Sequence, residues 1–174
     1  MTTDTDRRAA EERFREVFAQ LGAVTAYARR RGSRDADGIA AEAMSIAWRR
    51  LADVPRDDPL PWLYATARNL LLAERRAANR TSAAEAAEPS VPAPELDELD
   101  PQLDHALRTL GPTDREALLL IAWEDLAPTQ AARVLGLNPT AFRVRLLRAR
   151  RRLRAALEEE RRPAALVQID VEGT

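Results

Sequence analysis

Cysteine is absent from the 174-residue chain, which excludes disulfides, thiolate chemistry and Cys-ligated zinc. Lysine is absent too, so every residue in the combined Lys and Arg count of 27 is Arg. Such usage accompanies GC-rich genomes irrespective of function, yet Arg also brings a planar fork of donors suited to phosphates and guanine edges. Aromatics are scarce at 5%, and runs of alternating β-branched residues are missing. The short stretch at 166–169 is too isolated to carry a sheet. No segment approaches the roughly 20 apolar residues of a membrane span, and residues 1–8 lack an apolar secretion core. A cytoplasmic protein with no membrane insertion is expected.

Sites of chemistry are missing as well. No nucleophile–base pair and no phosphate-cradling Gly loop stands in the sequence. The acidic clusters do not fall at spacings that could enclose a metal, and His105 is solitary. The sequence therefore offers no catalytic residue, no metal ligands and no cofactor site, and an enzyme is not expected.

What is present is helix-forming material. Apolar residues make up 45%, mostly Ala and Leu, and charged residues 32%, a composition that favours helices with thin apolar stripes. An all-α fold is expected. At this length the chain can form one domain or two small ones, each of the two near the lower limit for burying a core of its own.

The formal net charge of -1 conceals segregation. Residues 139–162 hold nine Arg against three Glu, whereas residues 83–101 hold six acidic residues and no Arg. The first block is able to meet nucleic acid and the second would repel it.

Periodicity predicts a helix over 11–31, with Phe14, Val17, Phe18, Leu21 and Val24 on one stripe, broken at Gly32-Ser33. A second helix is expected over 35–51. Pro55, Pro59 and Pro61 then force a non-helical passage, and a third helix follows from Pro61 or Trp62 to about Asn79. Residues 11–80 thus form one expected domain. Residues 81–101 are read as a flexible acidic linker, with too little to bury to justify fixing the backbone. The second domain covers 102–160, and 161–174 form a tail. In it, Leu103, Ala106, Leu107 and Leu110 give a stripe stopped by Gly111-Pro112. Thr113 and Glu116 have the spacing of a capping box, and residues 117–123 are the most hydrophobic stretch of the chain.

The most informative segment is LAPTQAARVLGLNPTAFRVRLLRAR at 126–150. A short helix over 128–135 is closed by Gly136, which can adopt the left-handed conformation at a helix end. Leu137 fills the corner, Asn138 caps the next helix and Pro139 occupies its first turn. Phe142, Leu146, Ala149 and Leu153 form the stripe to be buried. Thr140, Arg143, Val144 and Leu147 point to another side and could enter a major groove, while Arg145, Arg148, Arg151 and Arg152 flank strand phosphates. Arg143, early on the helix, is the candidate for a guanine edge, a contact worth roughly 1–3 kcal/mol of discrimination. The same geometry occurs in purely structural bundles, and an Arg-rich helix is often only a solvated face. The two features together favour DNA.

In the first half, Trp62 and Tyr64 are candidates for stacking on unpaired bases, with core packing the competing reading for Trp62. Arg68, Asn69, Arg75 and Arg76 are candidates for a phosphate or base-edge surface.

DGIAAEAMSIAW at 37–48, PWLYATARN at 61–69 and the basic helix-turn-helix, in this order and spacing, resemble the extracytoplasmic-function sigma factors of the sigma-70 family. The resemblance spans roughly residues 11–158. It implies a subunit that directs RNA polymerase core to promoters and assists their opening. One domain would grip the β′ clamp helices and recognise the −10 element; the other would read the −35 element and sit on the β flap. It places Asp37, Glu42, Met44 and Trp48 on the polymerase-binding helix. Arg56 and Asp57 fall in the loop at 53–61, which resembles the family's loop that captures a flipped base of the melted non-template strand. Arg68, Asn69, Arg75 and Arg76 fall on the −10 face, and the helix at 140–153 corresponds to the −35 reader. An anti-sigma factor is an implied partner.

The chain also departs from the family. Where Asp-Leu-Val-Gln-Glu is common, it has Gly38, Ile39, Ala40, Ala41 and Glu42. The common Thr-Val before the basic run is Ala141-Phe142, and the usual acid early in the helix-turn-helix is Gln130. Two other functions compete. A helix-turn-helix regulator that never joins polymerase would bind a palindrome as a dimer, and an all-helical adaptor would show no salt-dependent DNA affinity.

Overall fold

A computed structural model describes residues 4–84 and 100–161, and the described residues are helical throughout apart from turns. Four helices precede the gap and four follow it: α1 (Asp4–Phe18), α2 (Leu21–Arg30), α3 (Ala36–Arg49), α4 (Leu60–Ala84), α5 (Pro101–Thr109), α6 (Pro112–Ala122), α7 (Pro128–Leu135) and α8 (Pro139–Arg161). Most of the acidic linker expected at 81–101, and nearly all of the tail expected at 161–174, lie outside the described residues.

Helix boundaries follow local chemistry. The Asp35 carboxylate accepts from the Gly38 N–H at 2.8 Å and caps α3. Asp100 caps α5 through the N–H of Gln102 at 2.8 Å. Every helix of the second half opens on a proline, where the missing N–H is one that would have no helical partner anyway.

Three expectations differ in detail. The helix expected over 11–31 begins at Asp4 and is interrupted at Ala19-Gln20, because the chain turns to lay α2 across α3. That turn leaves Val17 and Val24 fully buried but Phe18 48% exposed. The third helix runs on to Ala84, since nothing in residues 80–84 breaks a helix. The Thr113–Glu116 capping box does not form. Pro112 already stands in the first turn, with Gly111 at the cap position, and the Glu116 carboxylate is drawn instead to Tyr27 and Arg31.

Packing resolves the shortage of core that the length foreshadows. Rather than burying two separate interiors, the halves share one apolar cluster. Val17, Val24, Tyr27, Leu63 and Ala67 belong to it together with Leu120, Leu126, Ala131, Ala132 and Phe142. The main bridge is α4 against α7. Alanine makes this possible: Ala40, Ala43, Ala47, Ala67, Ala117, Ala131 and Ala149 are all fully buried, so helix axes can approach closely. A smaller cluster of Leu107 and Leu110, with Leu103 and Leu153 against it, ties α5 to α8. Arg115 closes the end of α5 by donating to the carbonyl of Arg108 at 2.9 Å and to that of Leu107 at 2.8 Å, the latter shared with the Leu110 N–H. No described helix is long and apolar enough to cross a membrane.

Candidate nucleic-acid interface

The α7–α8 corner is built as the sequence indicates. Gly136 adopts φ 66°, a left-handed conformation that costs glycine little, and its N–H bonds back to the carbonyl of Arg133. The Leu137 N–H returns to the carbonyl of Ala132 at 2.9 Å. Asn138 then caps α8 by accepting from the Ala141 N–H at 2.7 Å. Phe142 and Ala149 are fully buried and Leu146 nearly so, which fixes the rotation of α8 about its axis. Thr140, Arg143, Val144, Leu147, Arg148 and Arg151 consequently face solvent. Val144 and Leu147 are unusually exposed for apolar residues, at 43% and 51%. An exposed apolar pair between arginines suits contact with thymine methyls and phosphates together.

Arg145 and Arg152 differ from the other arginines. Both reach back to the buried Asp114 carboxylate in the first turn of α6, Arg145 at 3.0 Å on Oδ1 and Arg152 on Oδ2. Nothing in the sequence separates these two arginines from their neighbours, because their partner is 31 and 38 residues away.

The −10 candidates are divided by the structure. Asn69 and Arg76 on α4 are exposed, as are Arg56 and Asp57 in the preceding loop. Trp62 is half-buried, with the Arg50 guanidinium 5.8 Å from its ring centroid. Tyr64 is buried and stacked on Tyr27 at 4.6 Å with an 18° interplanar angle. Arg68 lies 4.0 Å from Glu116, and Arg75 donates to the carbonyl of Arg31 at 2.7 Å. Tyr64 and Arg68 are therefore turned toward the other half of the molecule, whereas Arg75 is tied to the C-cap of α2 within its own half.

The polar contact between the halves centres on Arg31, which is 5% exposed. Its guanidinium lies 3.6 Å over the Tyr27 ring, donates to Glu116 at 2.9 Å and donates to Glu124 at 2.8 Å. Arg30 donates to both Glu124 oxygens, and the Tyr27 hydroxyl donates to Glu116 at 2.8 Å. Burial raises the Tyr27 pKa well above the usual tyrosine value, an effect the nearby Arg31 charge opposes and Glu116 reinforces. Tyr64 is pushed up to about 12, first by burial and then by the Glu124 carboxylate. Burial disfavours the charged form of Arg31, but the surrounding phenol and carboxylates outweigh it and raise its pKa. Sequence reading missed Arg31, Glu116 and Glu124 as a group, since no periodicity reports a pairing across more than 80 positions.

The loop before α4 is fastened from two sides. Arg13 donates to the Pro55 carbonyl at 2.7 Å. Gln130 accepts from the Ala127 N–H at 2.7 Å and donates to Asp58 at 2.8 Å. An acid at position 130 could not donate and would repel Asp58, which accounts for the amide there. The second departure, Phe142, is an anchor of the shared core. The third, Gly38, has the Asp35 carboxylate oxygen 2.1 Å from where a Cβ would stand, so any larger residue displaces the α3 cap.

The polymerase candidates lie on α3. Trp48 is 46% exposed and meets Phe14 edge-on at 5.0 Å. With Phe14, Phe18, Leu21 and Met44 it lines an open apolar groove between α1 and α3. Met44 forms the floor and is nearly buried; Asp37 and Glu42 are exposed, and Glu42 pairs with Arg49 at 3.0 Å. Phe14 and Phe18 read from the sequence as core stripe, so their part in this groove was missed.

Residues 101–153 match the family model described as Sigma-70, region 4. No curated protein sequence matches the chain. Among solved structures, one similar chain is the sigma factor RpoE in complex with the anti-sigma factor NepR from Bartonella quintana. Its TM-score is 0.62 at 22% identity, over 84% of this chain and 97% of that one. Another is CnrH in complex with the cytosolic domain of CnrY, with a TM-score of 0.59 and 27% identity over 90% of this chain and 99% of the other.

Proposed function

We propose, from the premise that the chain belongs to the sigma-70 family as an extracytoplasmic-function sigma factor, that α8 reads the −35 element while α3 and α4 serve polymerase and the −10 element. The chain directs RNA polymerase to promoters. The observation that carries the reading is the α7–Gly136–α8 corner. It lies within the region 4 match and presents Thr140, Arg143, Val144 and Leu147 together on one outward face.

The division of labour is between residues 11–80 and 102–160. In the first part, Asp37, Glu42, Met44 and Trp48, with the groove beside them, take the β′ clamp helices. The exposed apolar rings supply the area and the flanking acids the orientation. Arg56, Asp57, Trp62, Asn69 and Arg76 are the −10 and single-strand residues available in the packed arrangement. Tyr64 and Arg68 become available once α4 parts from α6 and α7, and Arg75 once it leaves the Arg31 carbonyl. In the second part, Arg143 reads a base edge and Arg148 and Arg151 hold phosphates, with Arg145 and Arg152 beside them.

The function is one of binding energy rather than catalysis. Phosphate contacts give salt-sensitive, unspecific affinity. Two separated readers add specificity, and stacking repays the few kcal/mol needed to unstack a base. Both similar structures are of complexes in which a second protein is bound, and an anti-sigma factor is accordingly the proposed regulator. Its place of action is the cytoplasm.

Run-off transcription with core polymerase on a promoter library tests the reading. Discrete transcripts that depend on the chain, with one copy per polymerase, are expected. A dimer on a palindrome that never associates with core would replace this reading with the regulator.

A further inference from the structure

Asp114 is an acid where a DNA-binding surface should avoid one. Only 5% exposed, it stands at the first turn of α6 and faces α8. Each carboxylate oxygen accepts from a different guanidinium, Oδ1 from Arg145 Nη1 at 3.0 Å and Oδ2 from Arg152 Nη1. These two arginines are seven positions apart on α8, about 10 Å along the axis. Asp114 and both arginines line one wall of a concavity shared with Thr140, Val144 and Arg148, so the clip sits directly beside the outward reading residues.

The arginines are held without being used up. Their side chains remain 39% and 65% exposed, and each guanidinium has five donors of which Asp114 takes one. A free arginine loses rotamer freedom when a phosphate immobilises it. Here that ordering precedes binding, and the two forks hold fixed positions relative to the buried stripe of α8. The acid also carries a cost: its charge offsets part of the pull of the two arginines on any strand.

We propose that Asp114 is a positioning residue for the DNA-reading helix, presetting Arg145 and Arg152 so that α8 docks in one register and unspecific affinity is held down. The inference rests on the reading of α8 as the −35 helix.

The test uses holoenzyme reconstituted from core polymerase and the full chain. Its binding is measured on a promoter duplex selected by the run-off library and on the same duplex with its upstream element scrambled, each across a salt series. For Asp114→Asn, two released arginines should tighten binding to the scrambled duplex and steepen the salt slope by about one to two. The preference for the intact upstream element should fall at least fivefold, the lower range of a lost base-reading contact. Asp114→Glu keeps the charge but displaces the carboxylate by a methylene. It should lose preference without changing the slope, and it serves as the deciding variant should Asp114→Asn not fold. Either folded variant keeping its preference within twofold of the parent overturns the proposal, as does weakening equal on both duplexes. If the parent chain itself shows no preference for the intact element, the −35 reading of α8 fails and the proposal falls with it.

Discussion

Glu124→Ala removes the most enclosed charge at the contact between the halves. The Glu124 side chain is 1% exposed and accepts from Arg31 at 2.8 Å and from Arg30 at 3.3 Å. Without it, the Arg31 guanidinium retains Glu116 on Nε and a long bond to the Tyr27 carbonyl, while its Nη2 already has no partner. Stripping one partner from a buried ion pair costs about 3–5 kcal/mol, because the remaining charge is left in a poor solvent. That is a large share of the roughly 5–15 kcal/mol that holds a domain folded. The chain has one escape, which is to separate its halves and hydrate Arg31, so the loss cannot exceed the free energy of closure. Urea denaturation followed by circular dichroism measures the first outcome, and tyrosinate absorbance reports the second. The two tyrosines of the chain, Tyr27 and Tyr64, are stacked at this contact and return toward the ordinary range near 10 if it opens. A variant within about 0.5 kcal/mol of the parent, in which both phenols still ionise high, would refute the reasoning.

Ultraviolet titration of the parent should show neither phenol ionising at the ordinary value, with Tyr64 near 12. Since the folded state favours the neutral phenol, the stability this contributes is complete below about pH 10 and is lost as pH rises through about 12, so alkaline unfolding should fall in that window or above it. Arg143→Ala should weaken use of particular −35 sequences by roughly 1–3 kcal/mol; equal loss on all templates would remove it as a base reader. Arg151→Ala should lower DNA affinity evenly and reduce the salt slope by about 1, and an unchanged slope would detach it from phosphate. Arg115→Ala should cost about 1.5–3 kcal/mol in urea denaturation by removing the charged donor from the carbonyls that end α5, and a loss under about 0.5 kcal/mol would contradict that role.

Local rules carried the sequence reading far. The Asn138 cap, the left-handed Gly136, the first-turn Pro139 and the Phe142–Leu146–Ala149 stripe all depend on neighbours within four residues, and each stands where its residue type requires. Long-range relations were not legible in this way. Phe18 fits the core periodicity of a continuous helix and becomes exposed because the chain breaks at Ala19-Gln20 to seat α2 on α3. Glu116 has the spacing of a capping partner, yet the buried Arg31 and the Tyr27 hydroxyl claim it from 85 and 89 positions away. Asp114 lies in the same motif and is read correctly only when α8 is laid against it. Most consequential, two short domains with little apolar residue to spare merged their cores. Linear order along the chain could not reveal that Tyr64 and Arg68 would meet the second half instead of solvent.

The central claim concerns where transcription begins. Sequencing the 5′ ends of RNA made by core polymerase with and without the chain measures it most directly. The account predicts new start sites that share two upstream elements at a fixed separation, and loss of the upstream one from that pattern with Arg143→Ala. An unchanged distribution of start sites, with the chain present and in excess over polymerase, would contradict it.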